Sequence, residues 1–191
     1  MSTALSLELP DFLARANARE LTLPRDEDRM RFVLDLAREN VAAGGGPFAA
    51  AVFENASGRL LAAGANRVMT SGYSCAHAEI LALSLAQRRL AHYDLGAPSF
   101  PPCELVSSAE PCLMCLGAVL WSGVRVLSFG ARGEDVTAQG FDEGPKPADW
   151  VGELRRRGIE VRPDVLRDDA REILLAYRAA GGPIYNARGA V

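Results

Sequence analysis

The sequence predicts an α/β protein in three layers, α/β/α, with a mixed central sheet of about five strands and helices on both faces. Three observations carry that prediction. Two apolar runs, Phe48–Glu54 and Arg59–Asn66, flank Asn55–Gly58, whose Asn, Ser and Gly suit a hairpin turn. Cys103–Ser108 and Val124–Gly130 are strand-like runs separated by a helical stretch, the pattern of a parallel crossover. Segments of helical period lie before, between and after these strands. A hairpin and a crossover in one sheet make it mixed, and helices of this number need both of its faces.

The elements follow in order. Residues 1–23 read as an N-terminal extension with a short helix near Pro10–Ala18, ahead of a domain over residues 24–180. From Pro24 to Ala43, the residues Met30, Val33, Leu34, Ala37 and Val41 recur at helical spacing. Pro24 suits a first turn, and Gly44-Gly45-Gly46 ends the helix. After the hairpin, Arg67–Ser74 is expected as polar loop. A helix from about Ala78 runs to Ala91, and Pro98–Pro102 is a break. The crossover helix is Glu110–Gly123, with Pro111 in its first turn. Ala131–Pro147, rich in Gly and acidic residues, is expected as a loop. A helix at Ala148–Arg157, a short strand Ile159–Arg162 and a helix Asp164–Ala180 complete the domain, and residues 181–191 form a tail.

Composition narrows the function. With 191 residues, 49% of them hydrophobic, the chain can bury one sizeable core. A net charge of −3 argues against a large nucleic-acid surface, which needs a basic face, so no nucleic-acid partner is expected. Lys146 is the only lysine, which reads as composition bias. No apolar run is long enough to span a bilayer. Met1–Pro10 has no basic region before an apolar stretch, so no signal peptide is expected and the compartment is expected to be the cytoplasm. There, four cysteines point to a metal or redox site before disulfides.

The chemistry concentrates in two stretches. Ser74–Leu83, SCAHAEILAL, places His77 and Glu79 at the start of a helix. In SAEPCLMC, Cys112 and Cys115 are three apart, so their sulfurs share one face of a first helical turn, where the dipole favours thiolates. One His and two Cys suit tetrahedral zinc with a fourth position open to water. Zinc lowers that water's pKa from ~16 to about 7. Glu79 is then placed to take the water's proton and hand it on. The same residues also allow a redox Cys112/Cys115 pair, a closed structural zinc with Cys75 or Cys103 as fourth ligand, or cysteines that are merely buried. The conjunction of HAE with Pro111 directly before the cysteine pair favours the catalytic reading. Cys75 and Cys103 are taken as non-ligands, and His92 as a surface residue.

The pattern H-x-E…P-C-x-x-C resembles the signature of the cytidine and deoxycytidylate deaminase superfamily, and the likeness runs from about Met30 to the end. That resemblance implies a cytidine-deaminase-like fold, Zn²⁺ held by His77, Cys112 and Cys115, and Glu79 as proton shuttle. Within the superfamily the sequence looks most like the bacterial guanine deaminases. On that likeness Gly45-Gly46-Pro47-Phe48 matches the family's GGPF stretch, Asn66 in GANRV its binding asparagine, Trp121 in the crossover helix its aromatic position, and Phe141 and Glu143 in GFDEGP the loop whose carboxylate contacts the base, with Glu143 also a candidate for proton transfer beside Glu79. Tyr185 in PIYNARG falls on a tail that closes over its own site or a partner's, and a homodimer is implied. The expected reaction converts guanine to xanthine and ammonia.

The residue chemistry agrees with guanine. Its N1–H and 2-amino group are donors, and an ionised Glu143 only accepts. Asn66 both donates and accepts. Phe48, Phe141 and Trp121 offer flat apolar walls, although Phe48 and Trp121 suit core packing as well. Ammeline, guanosine or a pterin carry the same amino-amidine unit. A tRNA adenosine deaminase shares the zinc motif but needs a basic surface, and Arg155-Arg156-Arg157 is the one basic run here.

Overall fold

The computed structural model describes residues 6–187. The expectations for residues 1–5 of the extension and 188–191 of the tail lie outside the described residues. In chain order the elements are α1 (Asp11–Ala18), α2 (Asp26–Ala42), β1 (Ala49–Glu54), β2 (Leu60–Ala65), α3 (Val68–Ser71), α4 (Ala78–Leu90) and β3 (Cys103–Ala109). Then come α5 (Leu113–Ser122), β4 (Val126–Ala131), α6 (Gly133–Thr137), α7 (Trp150–Arg156), β5 (Glu160–Arg162) and α8 (Arg167–Ala179).

The five strands form one mixed sheet in the order β2-β1-β3-β4-β5. β1 pairs antiparallel with both β2 and β3, whereas β3–β4 and β4–β5 are parallel. The hairpin and the crossover are therefore both present, joined through β1. Side chains alternate with the strand period. Ala49, Ala51 and Phe53 enter one core cluster with α1, α2 and α8, while Ala50 and Val52 enter a second with α4, α5 and α7. A register shift between Val52 and Phe53 resets the pairing with β2, so that Leu61 and Ala62 both join the second cluster. Three layers result.

Small residues let the catalytic-side helix come close. A Cβ on Gly64 of β2 would stand 2.4 Å from the Ala78 carbonyl and 2.5 Å from the Ala82 nitrogen. Any larger residue would push the start of α4, and with it His77 and Glu79, away from the sheet.

Several expectations are corrected. Arg67–Ser74 contains the single turn α3, closed by Gly72 in the left-handed region, and Asn66 Oδ1 accepts from the Val68 N–H at 3.3 Å. Ala131–Pro147 contains α6, where Asp135 accepts from the Arg132 N–H at 2.8 Å. One turn is too short for a periodic signal. α5 starts at Leu113, after Pro111, because Cys112 keeps extended angles as its cap. α8 starts at Arg167, because Asp164 and Leu166 hold positive φ. The N-terminal segment packs inward: Phe12, Leu13 and Ala16 are buried, and Asn17 bridges to β2, donating to the Ala63 carbonyl and accepting from its N–H. His92 is half-buried between Tyr93 and Phe100. Among the described residues, no helix is long and apolar enough to cross a membrane.

Candidate active site

Two helices begin at the same place. His77 caps the N-terminus of α4, and Cys112 caps that of α5. Cys115 lies one turn into α5 and is fully buried. His77 Nδ1 stands 3.5 Å from each of the sulfurs of Cys112 and Cys115, and the three donor atoms all lie within 4.8 Å of one another. Zn–N near 2.1 Å and Zn–S near 2.3 Å at a tetrahedral angle give an N···S edge of about 3.5 Å. The donor set thus fits zinc in type and spacing. The thiols differ. Cys112 is pulled down to about 4, chiefly by the hydrogen bond from Cys115 and also by His77, against burial. Cys115 is pushed up by that same hydrogen bond and by burial. A thiolate next to an imidazole nitrogen suits a divalent cation. Cys75 is exposed and Cys103 lies at the far end of β3, so neither joins this trio.

A cavity of about 340 Å³ opens beside these ligands. Glu79, two residues from His77, lines it, is only 7% exposed, and accepts a long hydrogen bond of 3.4 Å from Ser107 Oγ. Burial raises its pKa, and the neighbouring Cys112 adds to the rise. Asn66 lines the cavity from the end of β2. Phe48 and Phe141 meet edge to face at 5.1 Å, and Tyr185 meets Phe141 likewise at 5.3 Å. All three aromatic rings line the cavity. The tail therefore reaches the site of its own chain. Gly46 makes room for it, since a Cβ there would stand 2.2 Å from the Tyr185 hydroxyl. Asn186 secures the tail to the loop after Phe141, accepting from the Asp142 N–H at 3.0 Å and donating to the Gly140 carbonyl at 2.9 Å.

Glu143 sits in that loop, whose backbone carbonyl at Glu143 accepts from the Leu113 N–H at 2.9 Å. Burial pushes its carboxyl up to about 8, with Lys146 pulling the other way and Cys112 and Glu79 adding to the rise. Glu143 Oε2 and the Tyr185 hydroxyl are buried with no hydrogen-bond partner among the described residues. Buried polar atoms are nearly always paired, so two orphans on residues that line one cavity leave bonding capacity there for a water or a ligand.

Trp121 is corrected. It is 86% exposed and does not line the cavity. Nine residues separate it from Cys112, about two and a half helical turns, which puts it on the opposite side of α5. Other residues that hold the site were not singled out from sequence. Asn40 is fully buried and donates to the carbonyls of Gly46 and Asn66, both at 2.8 Å, while accepting from Arg67 at 2.9 Å. Its signal was an asparagine three residues after Ala37, on the apolar face of α2. Glu110 and Lys146 form an ion pair beneath the Glu143 loop.

The comparisons with known proteins agree with this geometry. Residues 23–131 match the family described as the cytidine and deoxycytidylate deaminase zinc-binding region. A guanine deaminase of Bacillus subtilis is 38% identical over 118 residues, covering 61% of this chain and 71% of its own length. A solved guanine deaminase from Nitrosomonas europaea is 57% identical, with a TM-score of 0.93 over 94% of this chain and 98% of that one. A further structure, solved in complex with 2,6-diaminopurine, is 58% identical, with a TM-score of 0.94 over 98% of this chain and 100% of that one. With the His-Cys-Cys trio, the buried glutamate beside it and the family match over more than half its length, the chain belongs to the cytidine and deoxycytidylate deaminase family.

Proposed function

We propose that the protein is a zinc-dependent guanine deaminase, hydrolysing guanine to xanthine and ammonia. The observation that carries this reading is the pair of buried atoms without partners among the described residues, Glu143 Oε2 and the Tyr185 hydroxyl, on two residues that line the cavity beside His77 and Cys112. Guanine brings donors in N1–H and the 2-amino group for the carboxylate, and acceptors in O6 and N7 for the amide of Asn66. Phe48 and Phe141 supply apolar walls for a flat base.

His77, Cys112 and Cys115 would hold the zinc, which supplies an acidified water beside the base. Glu79 takes the proton of the attacking water and delivers it to ring N3 as C2 becomes tetrahedral. Its buried, raised pKa favours holding that proton. Glu79 then takes the remaining proton of the hydroxyl added at C2, the exocyclic nitrogen gains a proton from Glu79 or from Glu143, whose pKa near 8 suits exchange close to neutrality, and the C2–N bond breaks as C2 becomes the carbonyl of xanthine. Ammonia then leaves. Asn66 and Glu143 orient the ring throughout, and Tyr185 closes the cavity from the tail.

The same reading assigns residues 24–180 to the deaminase domain, 1–23 to an N-terminal segment and 181–191 to a lid. It makes the protein a cytoplasmic homodimer of purine catabolism. Unpaired cysteines suit a reducing compartment. Trp121, 86% exposed on α5 and away from the cavity, suits a subunit contact.

The test is ammonia release by the zinc-loaded protein from guanine, ammeline, guanosine, adenine, cytidine and a tRNA anticodon stem-loop, side by side. Xanthine from guanine is expected. Activity on ammeline, guanosine or the stem-loop with none on guanine overturns the substrate and leaves the deaminase.

A further inference from the structure

Lys146, the only lysine in a chain that otherwise uses arginine, stands against Glu143. Its side chain is 13% exposed. The ammonium donates to Glu110 Oε1 and, at 3.2 Å, to the Pro111 carbonyl, two residues at the entry to the Cys112 helix. Its remaining side faces Glu143 Oε2 at 3.8 Å, too long for a hydrogen bond. Glu143 Oε2 has no hydrogen-bond partner among the described residues. The indole of Trp150 closes the outer side, its ring centroid 5.6 Å from Nζ.

From this arrangement we infer that Lys146 is the positioning residue of the substrate-reading carboxylate. It ties the Phe141–Lys146 loop to Glu110 and Pro111, and it sets a positive charge 3.8 Å from Glu143 Oε2 without hydrogen-bonding that oxygen. The inference rests on the reading that Glu143 contacts the base. A compact ammonium suits the task because it can face three acceptors around one point. An arginine fork pairs two oxygens in a plane and would engage Glu143 Oε2 directly.

The experiment is a double-mutant cycle on zinc-loaded protein with guanine, using Lys146→Met, Glu143→Gln and the pair, with zinc content and Tm recorded for each. Lys146→Met is expected to lower kcat/KM about 10- to 100-fold, mainly through KM, with zinc retained. In the Glu143→Gln background the same change is expected to cost less than about three-fold, since the group it positions is gone. Equal losses in both backgrounds would make Lys146 a structural residue and overturn the inference. So would an unchanged Lys146→Met beside an impaired Glu143→Gln, and that result would leave the proposed function standing. An unchanged Glu143→Gln would remove both the inference and the role of Glu143. Should Lys146→Met fail to fold or load zinc, Lys146→Gln, which can still donate to Glu110, decides the cycle by the same criteria.

Discussion

Glu104 and Glu143 are both carboxylates beside a cation in the interior, and they are treated in opposite ways. Glu104, fully buried at the start of β3, is satisfied on both oxygens: Arg29 pairs with Oε2, Ser128 Oγ donates to Oε1, and Arg162 approaches to 3.8 Å. Arg29 is itself 1% exposed and also donates to the carbonyls of Leu23, Pro24 and Asn55. Glu143 belongs to the opposite end of that strand, about 20 Å further along. It keeps one oxygen unpaired, with its cation held back at 3.8 Å. The first arrangement closes every valence and ties α2 to the sheet. The second leaves an oxygen unpaired on a residue that lines a cavity. In a parallel pair the carboxyl ends of the strands are where ligands bind, and β3 and β4 deliver the open carboxylate there.

The largest expected effect probes the open end. Glu79→Gln should retain zinc, measured by metal analysis, and lower kcat about 10³-fold, within the range for loss of a general acid–base. Near-normal turnover with full zinc would remove Glu79 from proton transfer. At the closed end, Glu104→Gln leaves the buried Arg29 with only the half-exposed Asp26, 3.7 Å away, as counter-charge, and unfolding in urea should show a loss of about 3 kcal/mol. Turnover per zinc-loaded, folded molecule should stay near wild type. A large loss of kcat/KM in that variant would break the division between the two ends.

Glu143→Gln should show the reverse pattern. A loss of about 100-fold in kcat/KM is expected with zinc retained, together with an unchanged or raised Tm, because a buried carboxyl whose charge is poorly compensated has gone. A falling Tm with unchanged turnover would place Glu143 with the structural carboxylates.

The smallest effect concerns a third carboxylate, half-buried between α6 and α8. Asp135 joins α6 to α8, accepting from Arg167 Nε at 2.8 Å and pairing with Arg171 at 3.0 Å. Arg167, first among its neighbours, holds its pKa below the ordinary value. A depressed folded pKa gives stability that is present above the unfolded pKa, about 4, and lost as pH falls through the folded value. Asp135→Asn should cost about 1 kcal/mol or less at pH 7. Its Tm should also fall less steeply than wild type on acidification below about pH 4. Parallel acid limbs for the two proteins would show that Asp135 contributes nothing there.

What the residues determined by themselves is local. The hairpin at Asn55–Gly58, the end of α2 at the glycines and the crossover around α5 rest on short-range conformational preferences, and each is found within a few residues of its expected place. The metal trio was legible for a related reason. His77 precedes a helix start, and Cys112 and Cys115 share one turn, so spacing alone limits where their donor atoms can go. Only the tertiary structure decided the rest. Pairing of β1 with β3 joins residues some fifty positions apart, and no local pattern encodes it. The facing of Trp121 was open because an apolar helix such as α5 leaves several faces equally apolar, and packing on the sheet chose the one with Cys115, Leu116 and Val119. Asn40 and Lys146 act through partners distant in sequence, Asn66 for one and Glu110 for the other, and their chemistry appears only once those partners are brought within hydrogen-bond reach. Covalent neighbours and helical period fix which donors share a turn. The closing of long loops, which a single sequence does not record, sets which carboxylate ends satisfied and which is left facing the cavity.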